Sequence, residues 1–261
     1  MNENYTKIEK ISNEGFDLEF GPILEKAFSN FKMIAGIGGI SMILISIVLA
    51  IVFGGAFAAI YGFSDFTGTL TGLNPEFMTG SSLITFFVSS VVMAGIFNPI
   101  SAGFIKMAYA ADKNESFGLD TIFTYYKGSF FKELFLSGII IGFFSAGITY
   151  LLQYFGLIIL GNLVTYIVTF FTFLTIPLII FSNLTAFQAI TISVKLVLKQ
   201  PIIILGLLII SILIVILGIL GFCIGIFFTT PFLYSMYYCI YTAIIPIKVK
   251  SELDEIGQNE E

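Results

Sequence analysis

The acidic side chains that could take part in chemistry form one loose group, Glu115, Asp120 and Glu133, in a polar segment between two apolar stretches. Paired carboxylates can act as general acid and general base, and here they would act on a lipid at a membrane surface. The chain has no His, which excludes dyads and triads built on His, His-based metal sites and a haem with a proximal His. Solvation of a surface segment explains the three acids more simply than catalysis does. The sequence therefore predicts no enzyme, no catalytic residue, no metal site and no cofactor.

Uncharged polar residues within the apolar stretches are the second group of interest. They are Ser89, Ser90, Asn98, Ser101, Thr165, Thr169, Thr172 and Thr175. The spacing of Thr165, Thr169 and Thr172 places them on one face of a helix, where they could line a wet path. Such a path is the basis of one functional alternative, a transporter or channel for a small or lipid-like molecule. In membrane helices these side chains more often hydrogen-bond to a neighbouring helix or to their own backbone, so a structural role is the simpler interpretation.

The apolar stretches that hold these residues are long. Hydrophobic residues make up 57% of the chain and charged residues 11%, against roughly a quarter charged in a soluble domain. No charged residue occurs in 33–64, 77–105, 134–194 or 200–247. A helix of about 20 apolar residues crosses a bilayer, so the first two stretches hold one crossing each and the last two hold two each. The sequence predicts an all-α polytopic membrane protein, with six transmembrane helices arranged as three hairpins.

The positive charges indicate an orientation. All 12 basic residues are Lys, in groups within 7–32, 106–132, 195–199 and 248–250, and six crossings place every group on one side. Lys in short loops marks the cytoplasmic side, which predicts a bacterial cytoplasmic membrane protein with both termini in the cytoplasm. Basic side chains there attract anionic headgroups, so the candidate lipid-headgroup contacts are Lys106, Lys127, Lys195 and Lys199.

An amphipathic interfacial helix is expected in front of each hairpin. The first begins at Phe20, and the second begins near Phe117 with Asp120 as its N-cap. The third opens on Thr185 and Gln188, whose spacing fits a capping box, and its expected apolar face is formed by Ile190, Val194, Val197 and Leu198.

Acidic tails are expected at both ends of the chain. Residues 1–19 and 248–261 are rich in Asp and Glu and have no sustained apolar pattern. Charged ends of this kind are usually solvated, so both are predicted to be flexible cytoplasmic tails around a membrane domain over 20–247.

A short motif suggests an internal repeat: a Pro, an aromatic residue ten positions later, and an Ala two positions beyond. The three sets are Pro99, Tyr109 and Ala111; Pro177, Phe187 and Ala189; and Pro231, Tyr241 and Ala243. They predict three copies, about 20–111, 117–189 and 187–247, packed with pseudo-threefold order. The motif places the end of helix 4 near Ala189, whereas the length of that helix places its end near Asn183, and both positions stay open.

The three hairpins, the interfacial helices and the segment TTPFLYSMYYCIYTAI (229–244) resemble an uncharacterised bacterial group of six-helix integral membrane proteins. That group is related to the membrane domain attached to some glycerophosphoryl diester phosphodiesterases. The resemblance covers about 17–247 and implies a membrane module. The catalytic domain of those phosphodiesterases is missing here, so the resemblance does not carry their activity to this chain.

The sequence thus favours an integral membrane protein that is not an enzyme and acts as a lipid-associated or partner-binding module. Membrane lipids are its expected partners, together with a protein partner that the sequence does not identify. No basic patch of the kind that binds nucleic acid occurs in the chain, so no nucleic-acid partner is expected.

Overall fold

A computed structural model describes residues 3–61, 80–221 and 224–247, and every element within them is helical, which confirms the all-α prediction. In chain order the α-helices are α1 (Glu3–Glu14), α2 (Phe20–Tyr61), α3 (Gly80–Lys113), α4 (Phe130–Tyr154), α5 (Ile158–Thr172), α6 (Thr175–Ser182), α7 (Ala186–Lys199), α8 (Pro201–Leu217), α9 (Gly225–Thr229) and α10 (Pro231–Ile244). Two 3-10 helices, Leu119–Tyr126 and Gly218–Leu220, lie between α3 and α4 and after α8. The predicted tail over 248–261 lies outside the described residues.

Among the residues that the structure describes, five helical segments are long and apolar enough to cross a membrane. They are Phe20–Val52, Phe87–Lys113, Phe130–Tyr154, Ile158–Ser182 and Pro201–Leu220. This result supports a polytopic, membrane-embedded protein. The sixth crossing is predicted from about Pro231 to Ile247. Helix α10 does begin at Pro231, which has no backbone N–H to continue the preceding helix α9, but it ends at Ile244 after 14 residues and is too short to cross a bilayer by itself. Six crossings therefore stay a prediction.

Helix α10 lies at the centre of the bundle, in contact with α2, α3, α6 and α8. Most of its residues are buried, and Phe232, Tyr238 and Tyr241 are among the largest fully buried side chains in the described residues. The ring of Phe232 packs edge-on against Phe31 of α2 at 5.4 Å between centroids. The Tyr241 hydroxyl lies 2.6 Å from Ser182 Oγ, so this ring is buried with its polar atom paired.

Small residues bring α3 and α4 close together. A Cβ added to Gly138 would overlap the carbonyl oxygen of Ala94, and one on Gly142 would lie 2.8 Å from the Ala94 Cβ. Beside this contact, the Asn98 side-chain amide donates to the Leu134 carbonyl oxygen (3.1 Å) and to Ser137 Oγ (3.0 Å). The α3–α4 hairpin is therefore held by close backbone approach and by a half-buried amide.

The predicted flexible tail over 1–19 is wrong for its first part, because residues 3–14 form helix α1 and pack against α7. Ile8 is 4% exposed and Ser12 is 1% exposed, so one face of α1 is buried. Glu9 accepts a hydrogen bond from Lys195 Nζ at 2.8 Å, and the Asn13 carbonyl oxygen accepts one from Lys199 Nζ at 3.2 Å. One acidic side chain of this segment, Glu9, is therefore paired with a basic partner distant in the chain.

The three predicted interfacial helices have three different outcomes. Helix α2 does begin at Phe20, but it runs on for 42 residues without a break, so the first interfacial helix and the first crossing are one element. The chain holds no Pro between Pro22 and the end of α2, and nothing in the sequence forces a bend there. The second is a 3-10 helix whose N-cap is Gly118, not Asp120.

The third interfacial helix, α7, is confirmed together with its capping box between Thr185 and Gln188. Its buried face is wrong in part: Val197 is buried, whereas Leu198 is 58% exposed and Ile190 and Val194 are only partly buried. The buried residues are Ala186, Ala189, Ile192, Ser193, Leu196 and Val197. The buried face of α7 differs from the predicted one because α7 packs against α1, α4, α5 and α6 as well as α8.

The proposed register of the second repeat is also wrong. Helix α6 ends at Ser182, and Asn183 takes left-handed backbone angles (φ 55°) that stop the helix. Phe187 and Ala189 therefore belong to α7, whereas the other two sets lie within single helices, α3 and α10. Phe187 is 73% exposed but Tyr241 is 1% exposed, so the two rings have opposite environments. The fourth predicted transmembrane helix, which corresponds to α5 and α6, therefore ends near Asn183, and this one of the two predicted positions is confirmed. The threefold repeat stays a prediction.

The ion pair between Glu9 and Lys195 generates a testable prediction about α1. Lys195→Glu should undock α1, because it places a second carboxylate beside Glu9, and amide hydrogen exchange over residues 5–14 should accelerate. The swapped double variant Glu9→Lys, Lys195→Glu restores opposite charges and should return exchange toward the native rate. Unchanged exchange in Lys195→Glu would contradict the docking.

The same pair predicts how the docking free energy depends on pH. The hydrogen bond from Lys195 lowers the pKa of Glu9 below its usual 4.5, and the same bond raises the pKa of Lys195 above its usual 10.5. The stabilising contribution of Glu9 is complete above about pH 4.5 and is lost as pH falls through its lowered pKa. That of Lys195 is complete below about pH 10.5 and is lost as pH rises through its raised pKa. Corrected for the intrinsic exchange rate, protection of α1 should be flat between these limits and fall outside them.

Candidate functional site

The 3-10 helix Leu119–Tyr126 packs directly against α3, and this close contact forms one wall of the candidate site. A Cβ on Gly103 would overlap the backbone of Ile122, so only a glycine permits this approach. Ile122 is 1% exposed, and the Tyr126 hydroxyl donates to the Ile96 carbonyl oxygen at 2.6 Å. One buried side chain, one backbone contact and one hydrogen bond thus fix the position of the 3-10 helix.

An apolar groove with a cavity of about 170 Å³ lies between α2, α3 and this 3-10 helix. Its lining residues are Ser41, Leu44, Ile45, Val48, Leu49, Ile100, Leu119 and Phe123. The one hydroxyl among them, Ser41 Oγ, donates to the Ile37 carbonyl oxygen at 2.7 Å and is satisfied within its own helix. Val48 and Phe123 are 58% and 52% exposed. The groove is therefore an accessible hydrocarbon surface without free polar groups of its own.

Two of the four candidate headgroup lysines lie on the elements that form this groove. Lys106 Nζ, on α3, lies 5.8 Å from the centroid of the Tyr125 ring, a cation–π contact that draws it toward the 3-10 helix. Lys127 directly follows the 3-10 helix as its C-cap and is exposed. Both lysines thus belong to elements that form the groove wall, although neither lines the groove itself.

The other two candidate lysines have partners within the protein. Lys195 bonds to the Glu9 carboxylate and Lys199 to the Asn13 carbonyl oxygen. Both lysines hold α1, and this structural role competes with the predicted headgroup contact. The sequence could not reveal these partners, because each pair is separated by 186 positions.

A charged cluster of Lys26, Asp112 and Tyr238 joins α2, α3 and α10. The sequence did not predict this cluster. Lys26 Nζ lies 2.9 Å from Asp112 Oδ1, and the Tyr238 hydroxyl donates to Asp112 Oδ2 at 2.7 Å. Lys26 also lies 5.7 Å from the centroid of the Tyr238 ring. The one signal available in the sequence is that Asp112 directly follows the Ala111 of the first repeat motif.

The three acids considered as catalytic candidates have separate surroundings. Glu133 Oε2 accepts a hydrogen bond from the Ala186 backbone N–H at 2.8 Å and so stabilises the N-terminus of α7. Glu115 interacts with Tyr109, and Asp120 is exposed beside Gly118. Among the described residues, no three His, Cys, Asp or Glu side chains are grouped so that they could hold a metal ion.

A second cavity, of about 320 Å³, lies toward the opposite end of α3, α4 and α5 and is polar. Ser90 and Thr165 line it together with Gly142, Ser145, Ala146, Thr149, Tyr150, Gln153 and Asn162. The rest of the predicted Thr face does not continue it: Thr169 and Thr172 donate to carbonyl oxygens one turn earlier in α5. Asn98 and Ser101 likewise have partners on α4 and α10.

The seat of the 3-10 helix generates a prediction. Gly103→Ala should destabilise the protein by about 1–3 kcal/mol, the usual cost of inserting a methyl group where there is no room, and should accelerate amide exchange over residues 119–126. The matched control is Gly36→Ala in α2, where a Cβ meets no atom within 4 Å; it should be neutral or stabilise by up to about 1 kcal/mol. Thermal unfolding of the purified chain measures both. Equal effects of the two variants would refute the close seat.

No family model, no curated protein and no solved structure matches this chain. The resemblance to the bacterial six-helix group therefore stays a prediction.

Proposed function

We propose that the protein is a non-enzymatic membrane module that binds a membrane lipid, with an acyl chain in the apolar groove and the headgroup beside Lys106 and Lys127. The groove itself carries the proposal. It combines an accessible apolar lining with a wall fixed by Gly103 and Ile122. The surface that would contact the acyl chain is therefore formed before the lipid binds. A preformed groove reduces the ordering cost of binding.

The charges near the groove favour an anionic headgroup. Each Lys near a membrane surface contributes about 1 kcal/mol of attraction to anionic lipids. Lys127 is exposed, and Lys106 is held near the 3-10 helix by the Tyr125 ring. An anionic phospholipid would therefore be retained in preference to a zwitterionic one.

The proposed setting is a bacterial cytoplasmic membrane, crossed six times, with both termini in the cytoplasm. Two contacts between distant segments support this orientation: Lys26 pairs with Asp112, and Lys195 pairs with Glu9. Glu133 also bonds to the start of α7. These contacts gather Lys-bearing segments at one end of the bundle, as the bias of Lys toward the cytoplasmic side requires. The sixth crossing would be α9 and α10, between which Thr230 keeps helical backbone angles.

The lipid proposal predicts which variants lose bound lipid. The full chain is reconstituted in nanodiscs of equal parts phosphatidylglycerol and phosphatidylethanolamine, then released for native mass spectrometry. Lys106→Gln with Lys127→Gln should reduce the preference for retained phosphatidylglycerol by about fivefold per lysine. Phe123→Ser should lower the total lipid retained, because it places a hydroxyl in the groove.

Matched controls separate the groove from general membrane contact. Lys195→Gln with Lys199→Gln removes the same charge from the lysines that hold α1 and should leave headgroup preference unchanged. Phe144→Ser alters an exposed ring on α4 (61% exposed) outside the groove and should leave lipid retention unchanged. Equal loss in the control and test variants would contradict the proposed site.

A further inference from the structure

We propose that the polar cavity between α3, α4 and α5 binds a small uncharged molecule rich in hydroxyl or amide donors, such as a polyol. This site is separate from the lipid groove and does not depend on it. It lies in the half of α4 farthest from the Lys-bearing end, where the lining runs from Gly142 to Gln153.

Two hydroxyl groups of the lining, those of Thr149 and Thr165, use their donors within the protein. Thr149 Oγ1 donates to the Gly161 carbonyl oxygen at 3.0 Å, so the 2.9 Å bond between Thr149 and Thr165 must be donated by Thr165. Ser90 Oγ and the Tyr150 hydroxyl bond to each other at 3.1 Å, which uses one further donor. Thr149 and Thr165 therefore offer an occupant acceptor lone pairs only, whereas the Ser90–Tyr150 pair has a second hydroxyl donor as well.

One acceptor in the lining has no partner. Gln153 Oε1 is buried and makes no hydrogen bond to any of the described residues. An unpaired buried carbonyl oxygen loses its hydration without compensation. A bound molecule that brings an O–H or N–H to this atom would remove that cost.

The size of the cavity and the absence of charge narrow the class of ligand. A cavity of about 320 Å³ is at the lower end of small-molecule pockets and far larger than one water requires. The nine lining residues carry no charged side chain. A charged solute would find no counter-ion among these residues, so the lining gives an ion no electrostatic stabilisation to offset its lost hydration. A neutral molecule with several donors fits both constraints.

The test uses the full chain in nanodiscs and saturation-transfer NMR with sorbitol as the probe, measured against empty nanodiscs. Gluconate, of similar size but anionic, is the charge control. Sorbitol should show saturation transfer and gluconate should not. Gln153→Leu should weaken sorbitol binding by about fivefold, the effect of one lost hydrogen bond. The same variant should unfold at the native temperature or above it, because it removes an unpaired buried acceptor.

A second variant keeps the test decisive if Gln153→Leu does not fold. Ala146→Leu fills the cavity without changing its hydrogen-bonding groups and should also abolish the sorbitol signal. Its control is Ile148→Leu on the same helix, whose side chain is 43% exposed and does not line the cavity; this variant should bind as the native chain does. The proposal is overturned if the native chain gives no sorbitol signal, which would mean a cavity filled by water alone. It is also overturned if gluconate binds equally well, or if neither cavity variant weakens the signal.

Discussion

The need to pair buried polar groups inside the protein is the constraint on which the rest of this structure depends. Helices long and apolar enough to span a membrane have lipid around them, and lipid supplies no hydrogen-bond partner. Asn98 of α3 therefore bonds to α4, Ser235 Oγ of α10 to the Ala27 carbonyl oxygen of α2, and Ser182 of α6 to Tyr241. Each of these bonds joins two helices, so the same constraint that satisfies a polar atom also fixes the neighbour of the helix that carries it.

Charge extends this principle at one end of the bundle. The Asp112 carboxylate receives both Lys26 and the Tyr238 hydroxyl, which ties α2 and α10 to the end of α3. Helix α1 and the N-terminus of α7 are held in the same way, by pairing with Lys195 and with Glu133. Of the three acids that the sequence offers as catalytic candidates, Glu133 is thus used to hold two helical segments together.

The two cavities have opposite chemistry because their neighbours differ. The groove beside the 3-10 helix has only apolar groups available, since Ser41 is satisfied by its own helix, and it lies next to lysines. The cavity near Gln153 has paired hydroxyls and one unpaired acceptor, with no charged side chain in its lining. A lipid with an anionic headgroup suits the first, and a neutral donor-rich molecule suits the second.

The sequence by itself determined what depends on local composition: the all-helical class, the apolar segments and the capping box at Thr185. It did not determine partners far apart in the chain, because hydrophobic periodicity reports one face of one helix and not what that face meets. For this reason the docking of α1, the seat of the 3-10 helix on Gly103 and the Asp112 cluster were not predicted. The end of α6 had two possible positions in the sequence, and the left-handed backbone of Asn183 decided between them. Only the tertiary structure could place Lys195 against Glu9, because an ion pair depends on the distance between the two charges in space and not on their separation along the chain.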